Sequence, residues 1–497
     1  MVTLIRYAIE VESRWSTHAE YALRLLFESI GIRCSKTAFP AEADVVYSPR
    51  RPRNLAEDAV WIPAAPVTDW DAPVTSLGWW GEMPVLGASQ EPAGVRGDAS
   101  RTASDIVYAT YALVTGALER NLRRDLVGVP VARSGDSRLV DVFRRPTVAM
   151  YCRHLSTILA QRKQTELDCL PHWPDGKKYA VVLTHDVDAP FSRAPWGYYG
   201  RRVAAQLSRG AMRAATRGLL QGAKAAALTR FASLPAPEAD PNFCFERWRE
   251  FEGLLSARPC FYVSTINSAD RAGAAIDVTY DFRHPEIVAQ LRQSAERGWE
   301  IGLQASTYAH RFPGRVHEER EMLESVLDGH TVSGVRHHYW ALDPEVPERT
   351  MWLHAGAGLT YDSSLGFNDM PGFRRGMAWP FQPFDRERSE AVPLLELPPT
   401  LMDGSIFYQR VSAEDGRRGI EAHLDEVRSV HGAAVLDWHL EQLNPARLNG
   451  AGAALLSVLT GLAADSDVWW ATPDQLVTWW KARRDRLTSD AAVAVPL

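Results

Sequence analysis

The sequence predicts an α/β protein in two parts: a smaller N-terminal α/β domain over residues 1–150 and a β/α barrel over 175–485. Three observations predict it. The 497 residues exceed one ordinary domain. From Lys178 onward, strand-length apolar runs alternate with helix-length amphipathic stretches, six to eight times in about 310 residues, the rhythm of a barrel whose strand C-termini carry the chemistry. Between the two parts, a Pro-Asp-Gly turn signal closes Pro171 to Gly176.

In the first part, Thr3 to Ile9, Asp44 to Tyr47 and Ala59 to Pro63 read as strands, and His18 to Ser29 and Ala103 to Arg120 as helices. No glycine loop that could cradle phosphate and no grouping of acid, base and nucleophile stands out there, so packing, recognition or assembly is the expected role. A helix over Thr147 to Gln164 links it to the barrel. The barrel strands are Tyr179 to Thr184, Phe261 to Ile266, Glu300 to Leu303, Gly334 to Tyr339, Leu394 to Leu397, Ala433 to Trp438 and Val468 to Trp470. The helices between and after them are Pro285 to Arg297, closed by Gly298, then Val316 to Leu327, Val346 to Ala355, Glu421 to His431 and Pro473 to Arg484. Phe191 to Pro237 interrupts the rhythm: eight Arg or Lys and no acid mark a basic helical insertion, a solvated cap, a lid that attracts an anionic substrate or a membrane-surface contact.

Apolar residues make up 46% and charged residues 23%, and the net charge of −6 gives no reason to expect nucleic acid as a partner. The five scattered cysteines form no C-x-x-C pair, which argues for a reducing compartment. Arg6, Glu10 and Glu12 break the first apolar run, and no window is long enough for a transmembrane segment. A cytoplasmic location is the expectation.

The chemistry is expected in a few short motifs. In VVLTHDVDAP, Val181 to Pro190, Asp186 and Asp188 stand two apart after a strand and so share a face. Two carboxylates facing one pocket repel unless a cation or a shared proton joins them; an Asx-turn with a solvated partner is the bland alternative. In GVRHHYW, Gly334 to Trp340, neighbouring strand residues face opposite sides, so at most one of His337 and His338 can face a pocket. AVLDWHLEQLN, Ala434 to Asn444, puts His439 just beyond a strand, on the same end as the aspartates.

These motifs in this order, with WEIGLQASTYAH at Trp299 to His310, YDSSLGF at Tyr361 to Phe367 and PGFRRGMAWPF at Pro371 to Phe381, resemble the polysaccharide deacetylase family, in its subgroup with a T-H-D-V-D first motif and an extra N-terminal domain. The resemblance covers about 175–485. It implies a distorted β/α barrel that hydrolyses N-acetyl or related non-peptide C–N bonds of sugars or glycan precursors, free or nucleotide- or lipid-linked. It implies Asp186 as general base, Asp188 as ligand of a divalent metal such as zinc, Arg336 and Asp362 as orienting residues, and His439 as the acid that protonates the departing amine. Tyr339, Phe373, Arg374 and Trp379 are the expected substrate contacts, although aromatics in such a run serve equally well as core. The chain departs from the family at Gln304 and Tyr308, which stand where the family has histidines. A carboxamide oxygen is a poorer zinc ligand than imidazole. His338 is the expected substitute ligand, and a barrel that has lost hydrolysis and binds glycans or serves assembly is the alternative reading.

Overall fold

The computed structural model describes residues 2–74, 76–87, 101–102, 104–192, 216, 240–255, 257–267, 277–408, 411–447 and 450–489. The basic insertion expected at 191–237 lies almost wholly outside the described residues.

The N-terminal part is built on four parallel strands, β1 (Leu4–Ile9), β2 (Arg33–Lys36), β3 (Val45–Ser48) and β4 (Val60–Pro63), in the order β2-β1-β3-β4. A helix over Ser16–Ile30 joins β1 to β2 and stops where Gly31 turns left-handed at φ 95°. A hairpin of β5 (Leu77–Trp80) and β6 (Met83–Leu86) follows, then helices Ile106–Val114, Ser137–Arg144 and Thr147–Lys163. The helix expected to run to Arg120 ends at Val114. Gly116 adopts φ 71° there, and any Cβ on it would collide with the guanidinium of Arg375. The chain turns at the point where it must admit a buried arginine from the barrel.

The barrel sheet comprises β7 (Tyr179–Val187), β8 (Cys260–Val263), β9 (Glu300–Ala305), β10 (Gly334–His337), β11 (Tyr361–Asp362), β14 (Leu395–Glu396), β15 (Leu401–Met402), β16 (Ala433–Asp437) and β17 (Val468–Trp470). β12 (Phe384–Asp385) and β13 (Glu390–Ala391) form a separate hairpin. The sheet runs β14-β11-β10-β9-β8-β7-β16-β15, all parallel, with β17 on the first three residues of β7. Its two outermost strands are separated by only Leu397 to Thr400. The Leu397 N–H donates to Asp362 on one edge, while that of Thr400 donates to Val435 on the other. A four-residue link spans at most about 14 Å, far less than eight strands laid flat at about 4.8 Å each. The sheet must therefore curl into a distorted barrel.

Helices Phe245–Leu254, Pro285–Glu296, Arg315–Glu324, Pro347–Gly356, Ala413–Ser429, Ala451–Leu462 and Pro473–Thr488 pack outside. Two differences from the expected boundaries matter. β7 continues three residues past Thr184, because Thr184–Val187 pair with Cys260–Val263 of β8, and this carries Asp186 on the strand itself. β10 stops at His337, because Tyr339 and Trp340 both take φ 58° and turn the chain.

Candidate active site

Asp186, Asp188, Gln304, Arg336, His338 and His439 meet at the C-terminal ends of the strands. Asp186 is next to last on β7 and Asp188 one residue past its end, while Gln304 and Arg336 are register partners on β9 and β10. Arg336 is fully buried. Its Nη1 donates to Asp186 Oδ1 at 2.9 Å and Thr184 Oγ1 at 2.7 Å, Nε donates to Ser363 O, and Nη2 to Ser363 Oγ. Nη1 also lies 3.1 Å from Asp437 Oδ1, so one guanidinium serves two buried carboxylates. Burial, with Asp186 adding to it, pushes the Asp437 carboxyl well above the usual range, and Arg336 opposes that shift.

Two carboxylate-held imidazoles converge on Asp188. His338 donates from Nδ1 to Asp277 Oδ1 at 3.0 Å and turns Nε2 to within 3.4 Å of Asp188 Oδ2. His439 donates from Nδ1 to Asp403 Oδ2 at 2.9 Å, its own N–H donates to the same oxygen at 2.8 Å, and its Nε2 is also 3.4 Å from Asp188 Oδ2. Burial disfavours charge on all of these groups. Even so, Asp188 and Asp277 hold His338 up at about 10, Asp403 and Asp188 hold His439 well above an ordinary imidazole, and the two rings hold Asp188 well below an ordinary carboxylate. Asp188 keeps 24% of its side-chain surface exposed, which leaves the cluster open to a small molecule.

Gln304 closes the group. Its Nε2 donates to Asp188 Oδ1 at 2.8 Å and Asp186 Oδ2 at 3.2 Å, and its Oε1 is buried without a partner. Among the described residues, no three His, Cys, Asp or Glu side chains are grouped so as to hold a metal ion. Two donors are nevertheless in place. The 3.4 Å between Asp188 Oδ2 and His338 Nε2 matches the ligand–ligand edge of a tetrahedron with bonds of about 2.0–2.1 Å, and Asp277 behind His338 is the carboxylate partner that ligating imidazoles characteristically have. A half-turn of the Gln304 carboxamide would offer its orphaned oxygen as a third. The residues fit a divalent ion held by two oxygens and one nitrogen, not the nitrogen- or sulfur-rich set zinc prefers.

Several expected contacts lie elsewhere. Asp362 is buried on the outer side of β11, 3.3 Å from His354 Nδ1, and accepts from Ser364; its neighbour Ser363 is the residue that faces inward to Arg336. Phe373 is core, stacked on His423. Arg374 is buried in an ion pair with Glu119 of the N-terminal part at 2.9 Å. Trp379 is buried too, stacked on His172 and donating to His431 O. These three join the two parts of the chain and do not line the site. Tyr339 is 43% exposed and stacks on His338 at 4.1 Å between ring centres, so it remains beside the cluster. His337 points away from it, stacked on His354, and His310 packs against His337. The motifs did not reveal Asp277 or Asp403 as partners, and Asp437, which the last motif offers as a holder of the His439 ring, faces Arg336. Asp403 carries the one usable signal, an acid directly after a barrel strand.

No protein-family model matches the chain, and no curated protein matches it. Solved structures do. One is a Mycobacterium smegmatis chain assigned as a polysaccharide deacetylase, 20% identical, covering 65% of this chain and 97% of that one, with a TM-score of 0.41. A second is PuuE allantoinase, 14% identical over 63% and 93%, at 0.39. A third, assigned as a polysaccharide deacetylase of Pseudomonas aeruginosa PAO1, is 14% identical over 63% and 95%, at 0.39. At these identities and scores they carry no argument about chemistry, which rests on the residues above.

Proposed function

We propose that this chain is a hydrolase of the polysaccharide deacetylase type that removes an acyl group from the nitrogen of an N-acylated sugar. The observation that carries this is the pairing of one carboxylate locked by an arginine, Asp186, with one imidazole locked by a carboxylate, His439, on either side of Asp188. Breaking an amide needs a base to take a proton from water and an acid to give one to the amine. Asp186, held by Arg336 and Gln304, accepts the water proton; His439, held by Asp403, delivers a proton from Nε2 to the leaving nitrogen. Asp188, His338 and the Gln304 oxygen would hold a divalent ion, which when bound polarises the acyl carbonyl. Tyr339 offers a flat face for a sugar ring.

The two-oxygen set makes a direct prediction. Gln304→His tightens zinc binding by at least the roughly 10–100-fold that even an outer partner of a ligand is worth, and manganese binding much less, as read by competition with a chromophoric chelator. Equal gains for both ions would count against Asp188, His338 and residue 304 as one ligand set.

A second reading, a barrel that binds glycans without cutting them, is favoured by the Gln304 nitrogen that already bridges both carboxylates. The two are separated by acetate release from N-acetylglucosamine oligomers with manganese, cobalt or zinc supplied. Release supports the hydrolase; calorimetric binding of intact oligomers with no release supports the second reading.

A further inference from the structure

His439 sits on a short irregular segment between β16 and a 3-10 turn at Leu440–Leu443, where little regular structure holds it. The carbonyls on either side of it are nonetheless both tied to one helix. Trp438 O accepts from Nδ1 of His185 at 2.7 Å, and His185 Nε2 meets Glu252 Oε1 at 2.6 Å, with both side chains fully buried. Leu440 O accepts from Nε1 of Trp248 at 2.8 Å. Trp248 and Glu252 are one turn apart on the Phe245–Leu254 helix, and the Trp248 ring packs on His185 at 4.2 Å between centres. His185 in turn stands between Thr184 and Asp186 on β7, pointing away from the cluster that those two residues enter with Arg336.

We infer that Glu252, His185 and Trp248 form a clamp that sets the position of His439 relative to Asp186. None of the three touches the reacting atoms, so they are positioning residues. Asp403 fixes the His439 ring from one side, and the clamp fixes its backbone from the other. The imidazole then has one place to stand. Displacing it by a fraction of an ångström lengthens the path of the proton to the leaving nitrogen while leaving the substrate contacts intact.

This inference rests on the proposed hydrolysis and on His439 as its acid. Glu252→Gln removes only a charge, and Trp248→Phe removes the indole N–H together with part of a fully buried ring system. On an N-acetylglucosamine oligomer, each lowers kcat by about tenfold or more with KM unchanged. On 4-nitrophenyl acetate, whose leaving group departs without a proton, each leaves the rate unchanged. His439→Asn is the control: its loss on the oligomer is much larger than its loss on 4-nitrophenyl acetate. If His439→Asn shows the contrast and the clamp variants do not, the clamp is overturned while the hydrolase stands. Should the native protein cleave neither substrate, the proposed function falls. The clamp is then read in histidine-labelled protein from the downfield Nδ1 proton of His439, assigned by its loss in His439→Asn. The expected result is a sharp signal in the native protein and a broadened or shifted one in Trp248→Phe; an unchanged signal overturns the clamp.

Discussion

Arg336→Met destabilises the barrel by about 3–5 kcal/mol, the cost of leaving a buried charge without its partner. The guanidinium is the only cation in contact with Asp186 and Asp437 among the described residues, and it also donates to Thr184 and to the carbonyl and hydroxyl oxygens of Ser363. Methionine fills part of the volume and replaces none of these bonds. Asp437 is the group most exposed to the loss, because neither of its oxygens accepts a hydrogen bond and Arg336, ahead of His439, is the main group that offsets its burial. Adding Asp437→Asn to the variant removes one of the two stranded charges, so the double variant recovers part of the stability. Urea unfolding of the native protein, both single variants and the double variant measures this directly. If the two substitutions simply add, the three groups are not coupled.

Asp186→Asn leaves the fold in place and lowers the rate of deacylation by about 10²–10⁴-fold, the usual worth of a positioned general base. The amide keeps the size of the carboxylate and still offers Arg336 an oxygen, so substrate binding and KM are preserved. What is lost is the ability to take a proton from water. A variant that loses KM and not kcat would show that Asp186 binds substrate instead of activating water.

The fold class is legible in the sequence, and the gathering of polar residues at one end of the barrel is legible in part. Asp186 and Asp188 are legible because two carboxylates on one strand face demand an explanation, and His439 because it follows a strand on the same barrel end. Strand alternation says only that at most one of His337 and His338 faces the pocket; His338 does, where the chain turns at Tyr339 and Trp340. Asp277 and Asp403 were not legible as partners. A single aspartate in a loop looks the same whether it faces water or holds an imidazole, and only the fold brings Asp403 to His439, 36 residues away. Asp437, two residues before His439, does not hold its ring; it faces Arg336, because the strand continues straight to it. Phe373, Arg374 and Trp379 read equally well as sugar platform or as core. Their partners Glu119 and His172 lie outside the barrel motifs, 255 and 207 residues distant in the chain, beyond the reach of local pattern.

Gln304 marks the point where local reading and geometry meet. As a residue type, it argues against zinc. In place, its nitrogen joins Asp186 to Asp188, and its oxygen waits without a partner in a fully buried position. The same side chain therefore donates to both carboxylates as it stands and, with its carboxamide turned over, would offer an oxygen to an ion.

The most direct test compares native protein with His439→Asn on N-acetylglucosamine oligomers, following acetate release with manganese, cobalt and zinc and measuring calorimetric binding of the intact oligomers. The account predicts that the native protein binds and releases acetate and that His439→Asn binds equally well but releases about 10²-fold less or worse. Native protein that binds the oligomers and releases nothing with any of the ions, or a His439→Asn variant as fast as the native chain, would contradict it.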